Sequence, residues 1–249
     1  KFQWEIFADD FGTGPEAEKQ QAKVFLEKHI LLKQFFGYCL LRDTRYQRAL
    51  FLYGTGANGK STVLDVLEAM VGSGNTSSLN LHDLSRQFRA QFIQNKLVNI
   101  STETDTRDPL STNIFKAVVD GSPLTAERKY GEPFQFRSYA KWIVAMNEPL
   151  VTSDKSHGFG RRIMVLSFNR RFAPDEIKER MSEYLIEDID LIFNFALEGL
   201  KMLLEKGFVV GDKIKEDTDK MMEVILLLLL RVSELLLYPV FLLLEDLDP

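Results

Sequence analysis

The chain has 249 residues, and its 45% hydrophobic and 27% charged content is that of an ordinary folded protein, which excludes a disordered or fibrous chain. The net charge of −5 argues against a protein that binds nucleic acid over its whole surface, although a local basic loop would be hidden in that sum. The single cysteine, Cys39, cannot form an intrachain disulfide, so a reducing compartment is expected, and its apolar neighbours predict a place in the core.

The first 45 residues predict a helical segment. After a break at residues 12–15, apolar residues between positions 16 and 38 recur mostly at helical spacing, as in one or two packed helices. Residues 43–48 are a charged connector. We therefore assign residues 1–45 to an N-terminal helical segment.

The clearest motif of the chain follows this connector. Residues 49–53 are a short apolar run, typical of a strand buried on both faces of a parallel sheet. Residues 62–71 carry apolar side chains at helical spacing and stop at Gly72, a residue favoured just after a helix. The stretch between them fits the pattern G-x-x-x-x-G-K-[ST] and runs Gly54, Thr55, Gly56, Ala57, Asn58, Gly59, Lys60, Ser61, Thr62.

A strand, a glycine loop and a helix in this order are typical of a phosphate-binding loop, or P-loop. Its glycines let backbone N–H groups turn inward around β- and γ-phosphate, where the helix N-terminus adds a partial positive charge. Lys60 would neutralise phosphate charge, and the Ser61 hydroxyl would ligate Mg²⁺. The alternative is a glycine-rich turn that matches by chance.

The next stretch predicts a strand over residues 77–81, a helix over 84–94 and a central strand over 97–100. The central strand is followed by acidic residues, and an acid at the tip of a strand beside a P-loop binds Mg²⁺ through water or orients the attacking water. Glu103 is the first candidate and Asp105 the second. The alternative is that both are solvated loop carboxylates.

A hairpin is predicted after a helix over residues 110–120 that Gly121 closes. Two half-apolar runs within residues 124–137 flank a turn. The tip is basic and aromatic, and such a tip can bind backbone phosphate and stack a base. A merely solvated charged tip is the alternative reading for its residues Arg128, Lys129 and Tyr130.

Residues 142–146 predict a third buried strand that ends at Asn147, which either contacts the ligand or caps a turn. A flexible glycine turn at residues 158–160 precedes Arg161 and Arg162, and a strand follows over 163–168. The two arginines are candidates for contact with a phosphate, or else form a surface pair or salt bridges.

The C-terminal segment, residues 173–249, is predicted to be helical. Amphipathic helices are expected over 175–186 and 190–206, followed by a leucine-rich stretch over 221–249. Charged residues and a proline interrupt the leucines, so packed or oligomerising helices are expected rather than a membrane span.

Five stretches in this order resemble the superfamily 3 helicase domain of phage, plasmid and poxvirus primase-helicases: GTGANGKS, LVNISTE, DGSPLTAERKYGEPF, WIVAMN and GFGRRIMVLSF. The resemblance implies an α/β fold, a P-loop NTPase with an AAA+-like five-stranded parallel sheet whose P-loop strand lies near the centre. It places the ATPase core at residues 46–172, between the N-terminal collar-like segment and the C-terminal helical segment.

The resemblance also implies roles for single residues. Lys60 and Ser61 would bind phosphate and Mg²⁺, and Glu103 would be the Walker B acid that holds Mg²⁺ through water. Asn147 would be the polar sensor at the γ-phosphate, and Arg161 or Arg162 the arginine finger that reaches a neighbouring subunit's site. Lys129 would lie on the hairpin that grips DNA. Many AAA+ proteins place two adjacent acids at the Walker B tip, whereas here Thr102 precedes Glu103.

By this resemblance the chain is expected to be an ATP-dependent helicase or translocase on single-stranded DNA, with ATP and Mg²⁺ as cofactors. A homo-oligomeric, hexameric ring in the host cytoplasm is implied, without a membrane. Since the sequence starts without Met, we expect a piece of a longer protein with a primase domain before it. Two alternatives stay open: a non-translocating ATPase that acts as a loader or structural ring, and a nucleotide or small-molecule kinase.

Overall fold

The computed structural model describes residues 5–9, 12–86, 88–102, 112–150, 152, 154 and 156–225. Glu103 and Asp105 lie outside the described residues, as does the leucine-rich stretch from residue 226 onward. Within the described residues the strands are β1 (Ala49–Tyr53), β2 (Thr76–Ser77), β3 (Val98–Thr102), β4 (Pro123–Ala126), β5 (Phe134–Arg137), β6 (Lys141–Met146) and β7 (Ile163–Ser167).

Five of these strands form one parallel sheet in the order β2-β3-β6-β1-β7. The predicted α/β fold with a five-stranded parallel sheet is therefore confirmed, and β1 lies near its centre, as expected. Strands β4 and β5 pair with each other as an antiparallel hairpin, which confirms the hairpin predicted over residues 124–137.

Helices cover both faces of the sheet. The first is one continuous helix, as the apolar spacing allowed, and its last residue, Cys39, is fully buried as predicted. The helices are α1 (Pro15–Cys39), α2 (Lys60–Val71), α3 (Thr112–Asp120), α4 (His157–Gly160), α5 (Met181–Glu187) and α6 (Ile189–Lys206), and residues 212–225 are also helical.

Successive side chains of the central strands enter two separate cores, because neighbouring residues of a strand point to opposite faces. Leu50 and Leu52 of β1 lie in a core with residues of α1, α2 and α6. Phe51, between them, lies in a second core with Phe115 of α3 and Trp142 of β6. All of these side chains are buried, so the sheet is covered on both faces.

Helices α1 and α6 pack on each other at glycines. A Cβ added at Gly199 of α6 would lie 1.9 Å from the carbonyl oxygen of Lys33. A Cβ added at Gly37 of α1 would lie 2.3 Å from the backbone nitrogen of Leu200. The flanking helical segments are therefore in backbone contact with each other, while the predicted boundaries at residues 45 and 172 stay predictions.

The helix predicted over residues 84–94 is wrong. The structure has two 3₁₀ turns there, Leu81–Ser85 and Ala90–Ile93. Phe88 between them has a φ of +65°, a left-handed conformation that a continuing α-helix excludes. The side chain of Phe92 is 51% exposed, so the apparent helical spacing did not reflect one buried face.

Three further local predictions are corrected. The strand predicted over 77–81 is limited to β2, which ends at Ser77. The glycine turn at residues 158–160 is the short helix α4, capped by the Ser156 hydroxyl, which accepts a hydrogen bond from the backbone N–H of Phe159. The helix predicted over 175–186 begins only at Met181, because Arg180 has a φ of +59°.

None of the helices in the part of the chain that the structure describes combines the length and the apolar character that a membrane crossing requires.

Candidate phosphate-binding site

The P-loop connects the end of β1 to the first turn of α2. Three of its residues, Gly56, Ala57 and Gly59, have φ values of +96°, +48° and +88°. Such left-handed residues turn successive N–H groups toward one point, the concave arrangement that binds anions. Lys60 then opens helix α2, so the partial positive charge of a 12-residue helix is aimed at the same point.

The loop is fixed to the segment that follows β7. Asn58 donates from Nδ2 to the carbonyl oxygen of Phe168 at 3.3 Å, and Phe172 donates its N–H to the carbonyl of Ala57 at 2.8 Å. A Cβ at Gly54 would lie 2.4 Å from Asn58 Nδ2 and 2.5 Å from Phe168 O, so only glycine fits there. These contacts fix the shape of the loop.

Lys60 is buried and its ammonium is surrounded by neutral oxygens. Nζ donates to the carbonyl of Gly54 at 2.5 Å, to Asn58 Oδ1 at 3.1 Å and to Asn147 Oδ1 at 3.1 Å. Burial lowers the pKa of Lys60. Among the described residues, the hydrogen-bond partners of Lys60 Nζ are neutral, so an incoming anion would stabilise this buried cation.

The polar ends of two neighbouring strands meet the loop. Asn147, which directly follows β6, reaches Lys60 as described, so the structure brings these two predicted site residues together. Thr102, the last residue of β3, faces the same cavity as Ser61. Glu103 follows Thr102 in the chain but lies outside the described residues, and its predicted role stays a prediction.

A cavity of about 710 Å³ opens in front of the loop, a size typical of sites for small ligands. Part of its wall comes from the segment after β7, which sequence reasoning missed because no motif marks it. Here the Arg170 guanidinium lies 4.6 Å from the centre of the Phe172 ring and pairs with Glu176 at 2.6 Å. The residues that this segment contributes to the wall are Phe172, Glu176, Ile177, Lys178 and Met181.

Arg161 and Arg162 have very different surroundings. Arg162 is buried, and its guanidinium makes two bonds to Asp120, Nε to Oδ1 at 2.7 Å and Nη2 to Oδ2 at 2.5 Å. Arg161 is exposed and donates from Nη1 to Gln47 Oε1 at 3.0 Å. The sequence could not separate the two adjacent arginines, whereas the structure shows one paired and one facing solvent.

Arg48 lies beside Arg161 and donates to its backbone carbonyl. Burial and the neighbouring charge of Arg161 both lower the pKa of Arg48. Among the described residues, neither arginine has a carboxylate within ion-pair distance. The two guanidinium groups therefore form a positive surface that an anion would stabilise.

This positive surface lies at the other end of the sheet from the P-loop. Ile163 pairs with Ala49 at the start of β1, whereas Ser167 pairs with Tyr53, which precedes the P-loop. The two ends are four residue steps apart, about 13 Å at roughly 3.3 Å per step. Arg161 precedes even Ile163, so its side chain cannot reach the P-loop of its own chain.

The hairpin tip projects into solvent. Tyr130 has a φ of +63° and is 96% exposed. The Lys129 ammonium lies 5.2 Å from the centre of the Tyr130 ring, and the Arg128 guanidinium lies 5.2 Å from the centre of the Phe134 ring. Two cations and an exposed aromatic ring thus occupy one tip, as predicted, and their binding role stays a prediction.

Comparison with known proteins gives matches in sequence and in structure. Residues 52–162 match the model of a family of unknown function, DUF5906. The chain is 26% identical over 152 residues to the Acanthamoeba polyphaga mimivirus protein "Putative helicase L207/L206", which covers 54% of this chain and 15% of that protein.

Two solved apo structures of the NrS-1 C terminal region share the fold, each with a TM-score of 0.55. One, of residues 305–718 of NrS-1, is 16% identical and covers 84% of this chain and 51% of that one. The other, an A form, is 19% identical and covers 88% and 53%. The chain therefore spans about half of these structures and a small part of the viral protein.

Proposed function

We propose that this chain is the ATPase part of a superfamily 3 helicase, which hydrolyses ATP at the interfaces of a homo-oligomeric ring and moves along single-stranded DNA. One observation carries the proposal: the P-loop and Arg161 lie at opposite ends of the paired strands β1 and β7, and among the described residues Arg161 has no carboxylate within ion-pair distance. An arginine in this place serves the P-loop of another copy. The likeness to a viral protein named a helicase, and to the NrS-1 fold, supports the same reading.

The P-loop fits the triphosphate of ATP. Lys60 would exchange its contacts with neutral oxygens for γ-phosphate oxygens and stabilise the charge that develops there. Asn147, already within hydrogen-bond distance of Lys60, would then contact the γ-phosphate or the attacking water. Glu103, which directly follows Thr102 at the end of β3, would activate that water.

The open Ser61 hydroxyl at the start of α2 fits a Mg²⁺ ligand, since it lines the cavity and is exposed. Glu103 would complete the site through water. The metal would neutralise charge on the β- and γ-phosphates when bound. Hard oxygen ligands such as a hydroxyl and a carboxylate suit this ion.

Arg161 would supply the arginine finger in a ring. An arginine delivered from a neighbour raises the rate of phosphoryl transfer by roughly 10³–10⁵. Arg162 fits this role less well than Arg161, because its guanidinium is buried in the pair with Asp120. A ring of six copies in the host cytoplasm, with a primase domain before this chain in the same protein, completes the proposal.

The hairpin tip would contact the DNA. Its two cations, Arg128 and Lys129, suit backbone phosphates, and the exposed ring of Tyr130 suits base stacking. Both contacts are independent of sequence, which is what movement along a strand needs. The overall charge of −5 does not oppose this binding, because the positive charge is local.

Mixing two inactive variants tests the interface. Lys60→Ala keeps Arg161 but has a defective P-loop, and Arg161→Ala has the opposite defect. Each variant alone should hydrolyse ATP at least 100-fold more slowly than the wild type. In rings of randomly mixed equal amounts, about a quarter of the interfaces join an intact P-loop to an intact arginine, so up to about a quarter of the wild-type turnover should return.

The control mixes Lys60→Ala with the double variant Lys60→Ala/Arg161→Ala, which offers no intact P-loop and should stay inactive. A wild-type rate in Arg161→Ala alone, or turnover that is unchanged when the protein is diluted to a single copy, would refute the shared site. That result would favour a kinase or another ATPase that works as a single subunit.

A further inference from the structure

Helix α3 and the segment that carries Arg161 are joined near both of their ends. The Asp154 carboxylate accepts from the Thr112 hydroxyl at the start of α3 and from Lys116 Nζ in the middle of the helix, at 2.7 Å. At the end of α3, Asp120 holds the guanidinium of Arg162 through the two bonds described above. Asp154 and Arg162 are therefore each attached to the same nine-residue helix by an ion pair, one at its middle and one at its end.

An apolar contact lies between the two attachments. The rings of Phe115 on α3 and Phe159 on α4 are fully buried, and their centres lie 5.7 Å apart in an edge-on arrangement. Together with the two ionic attachments, this contact fixes the position of Asp154 and of residues 156–162 relative to the helix. The two therefore form one rigid unit, since a packed interior does not deform continuously.

The Asp154 attachment is a partly buried ion pair with further hydrogen bonds. Burial alone would raise the pKa of Asp154. The hydrogen bonds from Lys116, Ser156 and Thr112 outweigh this effect and hold the pKa of Asp154 well below its usual range. Its side chain is only 15% exposed, and that of Lys116 is 25% exposed. An ion pair this sheltered is screened less by salt than a pair at the surface.

The same helix leads directly into the hairpin. Asp120 is followed by Gly121 and Ser122, and β4 begins at Pro123. Arg137, at the far end of β5, donates from Nη1 to the carbonyl of Gly121 at 2.9 Å. The base of the hairpin is thus tied to the end of α3 by the chain and by a hydrogen bond.

We propose that α3 is a coupling helix, and that Asp120 and Asp154 are positioning residues that make Arg161 and the hairpin tip move as one unit. In this arrangement, the position of Arg161 relative to the neighbouring subunit and the contact of the hairpin tip with DNA change together. The inference rests on the proposed function, because it uses the roles proposed there for Arg161 and for the hairpin tip. Neither aspartate contacts the nucleotide in this assignment.

Each attachment can be weakened without removing a side chain. Asp154→Asn and Asp120→Asn keep the shape of the carboxylate and remove its charge. Misplacing a reacting group by about 1 Å can lower a rate roughly 100-fold. We expect ATP affinity within twofold of the wild type, kcat at least 10-fold lower, and single-stranded DNA no longer raising the turnover. Asp65→Asn, an exposed carboxylate on α2, is the matched control and should leave all three values unchanged.

The conservative variants Asp154→Glu and Asp120→Glu restore the charge and should recover at least part of both kcat and DNA stimulation. Turnover is expressed per nucleotide-binding site, so that a loss of folded protein does not count as a loss of rate. Where an asparagine variant does not fold, Lys116→Met decides, because Asp154 keeps its bonds from Thr112 and Ser156.

The inference is overturned when the asparagine variants, or Lys116→Met, bind ATP normally and keep both the wild-type kcat and the DNA stimulation, even at a lower melting temperature. The proposed function fails in a different way: Arg161→Ala would then keep its turnover, or DNA would not stimulate the wild type. Loss of turnover in Arg161→Ala with unaltered aspartate variants refutes the coupling alone.

Discussion

Replacing Gly199 by alanine should separate helices α1 and α6. The new Cβ would lie 1.9 Å from the carbonyl oxygen and 2.3 Å from the carbonyl carbon of Lys33, both backbone atoms that no rotamer change can move. Ordinary contact begins at 3.4 Å, so the helices must move apart by about 1.5 Å. That displacement would disturb neighbouring contacts, among them the bond from the Tyr46 hydroxyl to the carbonyl of Leu203.

We expect Gly199→Ala to lower the free energy of unfolding by about 3 kcal/mol or more, the upper part of the range for overpacked cores. Urea unfolding followed by circular dichroism measures it. Gly74→Ala is the control, because nothing lies within 4 Å of its added Cβ and its φ is not left-handed. That control should be neutral or stabilise by up to about 1 kcal/mol.

Equal stability of the two variants would refute the close approach of the helices. The shape of the unfolding curve carries a second result. If α1 and α6 belong to one cooperative unit with the sheet, Gly199→Ala should shift a single transition, whereas a separate early transition would indicate independent flanking segments.

Two more outcomes follow from the charged groups. Burial lowers the pKa of Lys141 from 10.5 to about 8, so between these values the unfolded chain binds the proton and the folded chain does not. The free energy of unfolding relative to Lys141→Met should therefore rise by about 2 kcal/mol from pH 8 to 10. A difference in urea unfolding that does not change with pH would contradict the burial of this ammonium. Lys129→Ala should keep the basal ATPase rate but lower its stimulation by single-stranded DNA, and the slope of log binding constant against log salt concentration should become about 0.7 less steep. The control Glu132→Ala, in the same tip, should not weaken binding. Unchanged DNA affinity in Lys129→Ala would show that the tip does not contact the DNA.

The strand, the glycine loop and the helix around Lys60 were predicted correctly because their constraints are local. An apolar strand, glycines at left-handed positions and a helix that starts at Lys60 are all written in consecutive residues. The alternation of Leu50, Phe51 and Leu52 across a buried strand also follows from local geometry. For the same reason, the hairpin and the glycine that closes α3 were found.

Features that depend on distant parts of the chain were not predictable. Phe88 adopts a left-handed φ that no propensity indicates, and this ended the predicted helix over 84–94. The difference between Arg161 and Arg162 arises only because Asp120, 42 positions away, pairs with one of them. The cavity wall formed by residues 172–181 likewise depends on how the chain returns after β7.

The hairpin is a sheet of its own in the described part of the chain, since β4 and β5 pair only with each other. Leu124 of β4 is buried in the core, whereas the tip projects into solvent, with Tyr130 96% exposed. The tip can therefore accumulate substitutions without a penalty in folding. The surface properties of this tip can therefore change in evolution while the main sheet and the P-loop keep their structure.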